Sequence, residues 1–129
     1  MSDLVTGQEE LLAQADAAAE RAYAPYSNYL VGAAVLARDG RVITAANVEN
    51  AAYPLGVCAE RAAIAKAASD GLRPGDLEAI AITASPCGGC RQWLHEWRFE
   101  RVHFRRADGT VATYSADELL PETWDLPEG

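Results

Sequence analysis

Leu77-Glu78-Ala79-Ile80-Ala81-Ile82-Thr83-Ala84 runs straight into Ser85-Pro86-Cys87-Gly88-Gly89-Cys90. The first eight residues form a largely apolar run bounded by turn signals, the pattern of a buried central strand. The Cys-x-x-Cys that follows opens a helix reaching to about Trp97. A buried strand that feeds a helix through a tight turn is an α/β unit, and the rest of the chain can be read outward from it.

Upstream, Val57 to Asp70 reads as a helix with Gly71 as its stop. Before it, Leu30 to Arg38 and Arg41 to Asn47 read as two strands joined by the turn Asp39-Gly40. Asn47 to Gly56 is a polar, turn-rich loop of the kind that carries function. A first helix is expected from Thr6 to Tyr23, with Thr6 and Glu9 as a capping box. Downstream, Arg101 to Arg106 and Thr110 to Tyr114 read as strands around the turn Asp108-Gly109. Ser115 and Glu118 form a second capping box before a short helix ending at Leu120-Pro121, and the tail from Glu122 to Gly129 reads as extended. This order predicts an α/β fold in three layers, a mixed sheet of about five strands with helices on both faces.

The 129 residues suit one domain spanning 1–129, half of them hydrophobic, enough for a core without disulfides. The formal charge of -8 disfavours nucleic acid as a partner, because phosphate binding needs clustered Lys and Arg. The one dense basic spot is Arg101, His103, Arg105 and Arg106, which reads as the outer, solvated or subunit-facing side of a strand. No apolar run approaches the roughly 18 residues that span a bilayer, and Met1-Ser2-Asp3-Leu4 lacks the marks of a signal peptide. No membrane partner and a cytoplasmic location are therefore expected. An odd count of three cysteines, two of them in Cys-x-x-Cys, fits a metal site better than a disulfide framework.

Cys58 opens the second helix, and Cys87 and Cys90 open the third, so two helix N-termini would converge on one spot. A helix N-terminus carries about half a positive charge, which favours the thiolate that binds metal. Three thiolates around Zn2+ leave one tetrahedral position open, the mark of a catalytic site. Taken singly, Cys58 reads as a buried small hydrophobe and Cys87-Gly88-Gly89-Cys90 as a redox pair. A closed structural zinc would need a fourth ligand, for which His95 and His103 are the only imidazoles, each better read as a surface or packing histidine. Glu60 alone is an ordinary acidic first-turn residue. Beside three cysteines it matches the zinc-deaminase pattern, in which a glutamate moves protons and does not ligate.

Cys58-Ala59-Glu60-Arg61 together with Pro86-Cys87-Gly88-Gly89-Cys90-Arg91-Gln92 resembles the cytidine deaminase family, in its small, three-cysteine, homotetrameric form. Ala24-Pro25-Tyr26-Ser27-Asn28-Tyr29-Leu30-Val31-Gly32-Ala33-Ala34, Asn47-Val48-Glu49-Asn50 and Leu119-Leu120-Pro121 extend the likeness over nearly the whole chain. The resemblance implies hydrolytic deamination of cytidine and deoxycytidine with one zinc per subunit, and a homotetramer whose active sites are shared between subunits. It implies that Asn47 and Glu49 bind the ribose hydroxyls. Ala51, Tyr53 and the backbone of Ala59 would lie near the substrate, and Arg61 would offset the excess negative charge of three thiolates on one dication. Two positions depart from the family's usual phenylalanine: Tyr29, and Trp124 after Leu119-Leu120-Pro121. Both keep an aromatic face for stacking. Trp124 also resembles the C-terminal tryptophan of blasticidin S deaminase, a relative with the same cysteines, so a modified cytosine nucleoside is the alternative substrate. A non-catalytic, zinc-stabilised binding module is the remaining reading, and an intact Glu60 speaks against it.

Overall fold

The computed structural model describes residues 7–125. Thr6, the expected helix cap, lies outside them, as do residues 126–129 of the expected extended tail. The elements are α1 (Gln8–Ala19), β1 (Gly32–Ala37), β2 (Val42–Ala46), a 3-10 turn (Tyr53–Leu55), α2 (Ala59–Ser69), β3 (Leu77–Ile82), α3 (Gly88–Glu96), β4 (Arg101–Arg105), β5 (Val111–Tyr114) and α4 (Ala116–Leu119). The five strands form one sheet in the order β2-β1-β3-β4-β5. Only β3 and β4 run parallel, joined by α3; the other neighbours are antiparallel. The expected mixed sheet of about five strands is therefore present.

Strand alternation sorts the sheet into two faces. Ala34, Ala79 and Ala81 face α1, where they pack with Leu11, Leu12 and Ala15. Ala33, Val35, Ile80 and Ile82 face the other way, into a larger core with Ala63, Ile64 and Ala67 of α2 and Leu94 of α3. The α1 face uses small residues because the helix lies close. A Cβ on Gly32 would come 1.9 Å from the Ala15 carbonyl oxygen, so only glycine fits there. β3 is buried on both faces at the centre, as its apolar run predicts.

Several element ends differ from the sequence expectation for identifiable reasons. α1 stops at Ala19, not Tyr23, because Tyr23 leaves the helix to bridge Val48. α2 begins at Ala59, because Val57 pairs with Val48 and Cys58 is the N-cap. At its far end Gly71, with φ 98°, closes a Schellman motif in which Leu72 N–H donates to Ala67 O at 3.0 Å. The capping box of Ser115 and Glu118 is present in both directions. The basic stripe on β4 needs correction. Arg101 is exposed, but His103 is only 5% exposed and bonds Thr113 at 2.9 Å. Arg105 pairs with Asp16 of α1 at 2.8 Å. α1 covers this side of the strand, so it is not a free outer face.

Candidate active site

Cys58 and Cys87 are the N-caps of α2 and α3, and Cys90 sits in the first turn of α3. β3 delivers the chain to Cys87, while the antiparallel bridge of Val57 with Val48 delivers it to Cys58. The three Sγ atoms lie within 4.8 Å of one another. Cys90 is buried, Cys58 is half-buried and Cys87 is exposed, so the cluster opens to one side. The Cys90 backbone N–H donates to Cys87 Sγ at 3.4 Å, a contact that favours sulfur as thiolate. A hydrogen bond from the Cys90 thiol, helped by the charge of Arg61, pulls Cys58 down to about 6. The same shared proton, with burial, pushes Cys90 up. Cys58 is therefore favoured as the thiolate, the form that binds a dication.

Glu60 is in the first turn of α2 and only 4% exposed. Burial raises its carboxyl above the usual range, and the Cys58 charge adds to the rise. A carboxyl whose pKa is raised holds a proton more readily than an ordinary glutamate, which suits a group that accepts and then returns one. Arg61, the next residue, reaches across to α3. Its Nη2 would stand 2.3 Å from a Cβ on Gly89, so glycine there leaves the guanidinium room beside the cysteines. Arg61 Nε is buried with no hydrogen-bond partner, an orphan donor next to the cluster. Burial opposes the charge of Arg61, but the sulfurs of Cys90, Cys58 and Cys87 outweigh it. Soft sulfur donors, convergent helix N-termini and a half-buried cation fit a three-thiolate zinc site. His95 and His103 do not join the cluster.

The profile of the cytidine and deoxycytidylate deaminase zinc-binding region matches residues 5–106. The chain belongs to this family. It is 43% identical to the cytidine deaminase of Halalkalibacterium halodurans over 122 residues, covering 88% of this chain and 91% of that one. It is 40% identical to the cytidine deaminase of Mycobacterium tuberculosis, with 92% and 90% covered. The crystal structure of cytidine deaminase from Burkholderia pseudomallei superposes with a TM-score of 0.86 at 42% identity, covering 92% of this chain and 99% of that one. The family is a zinc-binding one, and the three-cysteine cluster is where this chain can hold that ion.

Apart from the buried Ala59, the remaining sequence candidates stand on loops, the 3-10 turn and the tail. The 47–49 strip lies between Tyr23 and Val57, one residue from Cys58. Asn47 clamps the neighbouring loop: its Oδ1 accepts from Val31 N–H at 2.9 Å and its Nδ2 donates to the Tyr29 carbonyl at 3.0 Å. Glu49 Oε1 accepts from the N–H groups of Tyr26 and Ser27 at 3.0 and 3.1 Å, and Oε2 accepts from the Ser27 hydroxyl. The Ser27 hydroxyl bond holds the Glu49 carboxyl below its usual range. Tyr53 meets Tyr26 edge to face at 6.4 Å. Tyr26, Ser27, Glu49, Asn50, Tyr53 and Gly56 enclose a cavity of about 360 Å³. Ala59 is fully buried, whereas Tyr29, Ala51, Tyr53 and Trp124 are exposed. The roles of Asn47 and Glu49 as loop anchors, and the packing reason for Gly89, are not visible in the sequence. The Gly88-Gly89 pair signals a turn and gives no hint of Arg61.

Proposed function

We propose that this chain hydrolytically deaminates free cytidine and deoxycytidine to uridine and deoxyuridine, releasing ammonia. The observation that carries the reading is a buried, proton-competent Glu60 beside three convergent cysteines in a chain of the deaminase family. Cys58, Cys87 and Cys90 would hold the zinc, which supplies a Lewis acid that makes a water nucleophilic near neutral pH. Glu60 takes a proton from the attacking water and gives it to ring N3. It then carries the second proton to the amino group leaving C4, so that water's oxygen stays as the uracil carbonyl and ammonia departs. Arg61 offsets the thiolate charge. Asn47 and Glu49 bind the ribose diol, for which an amide and a carboxylate offer donor and acceptors together. Asn47 anchors its loop with one Oδ1 lone pair and one Nδ2 hydrogen, Glu49 with three of its lone pairs, and each keeps capacity for a ligand. Ala51, Tyr53, Tyr29 and Trp124 complete the nucleoside pocket, and the backbone N–H of Ala59 orients groups on C4.

The whole chain acts as one catalytic domain in the cytoplasm. No described helix is long and apolar enough to cross a membrane. Four copies assemble, as the likeness to the small three-cysteine cytidine deaminases implies, and the exposed Tyr29, Tyr53, Leu55 and Trp124 are available for such contacts. The test is the fall in cytosine absorbance when zinc-loaded protein meets cytidine, deoxycytidine and blasticidin S. Turnover of the two natural nucleosides supports the reading. Turnover of blasticidin S alone moves the substrate to the modified class through Tyr29 and Trp124, and no turnover of any refutes deamination.

A further inference from the structure

His95 lies in the last turn of α3, away from the cysteines, with its side chain 16% exposed. Its Nδ1 is 2.9 Å from Asp117 Oδ1 in α4, and its Nε2 is 3.0 Å from Asp125 Oδ1 in the tail. An ionised carboxylate only accepts hydrogen bonds, and a neutral imidazole has only one N–H. Both contacts form together only when the ring is the imidazolium. The surroundings favour that charge. The last turn of a helix attracts a cation. The cleft of about 660 Å³ around the ring is lined by Glu96, Glu100, Asp117 and Asp125, with Arg98 as the one opposing cation. The bonds to Asp117 first, and then Asp125, push His95 above the ordinary imidazole range.

What the ring holds gives the contact its meaning. Asp125 directly follows Trp124, whose side chain is 68% exposed and touches no other aromatic ring among the described residues. The chain turns at Glu122, which takes the left-handed φ of 56°, and the Thr123 hydroxyl donates to Asp125 Oδ2 at 3.4 Å. His95 is the side chain of α3 that ties this turned segment to the helix whose first turn carries Cys87 and Cys90.

We propose that His95, as an imidazolium bridging Asp117 and Asp125, is a positioning residue that fastens the Trp124 segment to α3 and makes nucleoside affinity depend on pH. The step rests on reading Trp124 as a nucleoside contact. The sign follows from the raised His95. The clasp is complete below the unfolded imidazole value of about 6.5 and is lost as pH rises through the higher folded value. Losing one donor frees the tail, and KM rises while kcat holds, because the clasp touches neither Glu60 nor the cysteines.

The experiment measures KM and kcat for cytidine on the zinc-loaded full chain from about pH 6 to about pH 9, a range centred on histidine chemistry. A rise of roughly fivefold in KM across the His95 transition, with kcat flat over the same step, is expected from loosening one aromatic contact. His95→Asn removes the step and leaves KM at its high-pH value. Asp125→Asn moves the step to lower pH. The chain has two histidines, so ring NMR titration resolves His95 by its loss in His95→Asn. A KM step that survives in His95→Asn overturns the proposal, as does a His95 ring that titrates at the ordinary value and ignores Asp125→Asn. A complete lack of cytidine turnover overturns the substrate reading instead. The ring titration then judges the clasp alone: a downward shift in Asp125→Asn supports it, and no shift overturns it.

Discussion

The cysteine cradle and the exposed rim of loops and tail are built on opposite terms. In the cradle, Ala59 and Cys90 are fully buried, Glu60 nearly so, and each sits at a helix start fixed by the sheet core. On the rim, Tyr29, Tyr53 and Trp124 are 62%, 76% and 68% exposed and stand on loops and the tail. The contrast shows how the labour is divided. The groups that move protons and hold a metal must keep sub-ångström geometry, and regular elements provide it. The groups proposed to recognise a nucleoside are carried on exposed segments, where sequence can vary without disturbing the core.

The comparison is broken most severely from the cradle side. Cys90→Ala removes the buried sulfur of the cluster. Zinc content measured by atomic absorption should fall by at least tenfold, and kcat/KM by on the order of a thousandfold, since the Lewis acid goes with the ligand. Retained stoichiometric zinc would mean that the cluster is not the metal site. On the rim, Glu49→Gln keeps the shape but removes the charge that binds the Ser27 and Tyr26 donors. Steady-state kinetics should show KM up by about tenfold with kcat changed much less, the size of one charged hydrogen bond. An equal loss in kcat would place Glu49 in the chemistry and blur the division. The smallest effect tests the scaffold beneath both regions. Arg98 has φ 62° in the Schellman turn that ends α3, where Phe99 N–H donates to Leu94 O at 3.3 Å. Arg98→Gly should raise stability by about 0.5–1 kcal/mol in chemical denaturation, with kcat and zinc content unchanged.

The same division explains what could be read from the chain before its structure. The central strand was legible because Leu77 to Ile82 is apolar but for Glu78, and the cradle because cysteines at two helix starts have few other uses. The Asp39-Gly40 and Asp108-Gly109 turns were legible from local chemistry, each glycine taking positive φ. Less legible was whatever depends on distant segments meeting. Nothing in the sequence says that Gly32 must be bare because α1 crosses it, or that α1 covers His103 and Arg105. Asn47 and Glu49 were found by family likeness, but their bonds to the 26–31 loop come from tertiary packing across some twenty positions. His95 gave no signal, because its partners Asp117 and Asp125 are ordinary exposed acids until the tail turns back.

The account stands or falls on Glu60 as the proton carrier at an intact metal centre. The direct measurement is cytidine turnover, by absorbance, of zinc-loaded Glu60→Gln beside the wild-type chain, with zinc content determined on the same samples. The account predicts full zinc occupancy and a kcat reduced by on the order of a thousandfold or more, since the glutamine cannot accept the proton. Full zinc with a rate within about tenfold of wild type would contradict it.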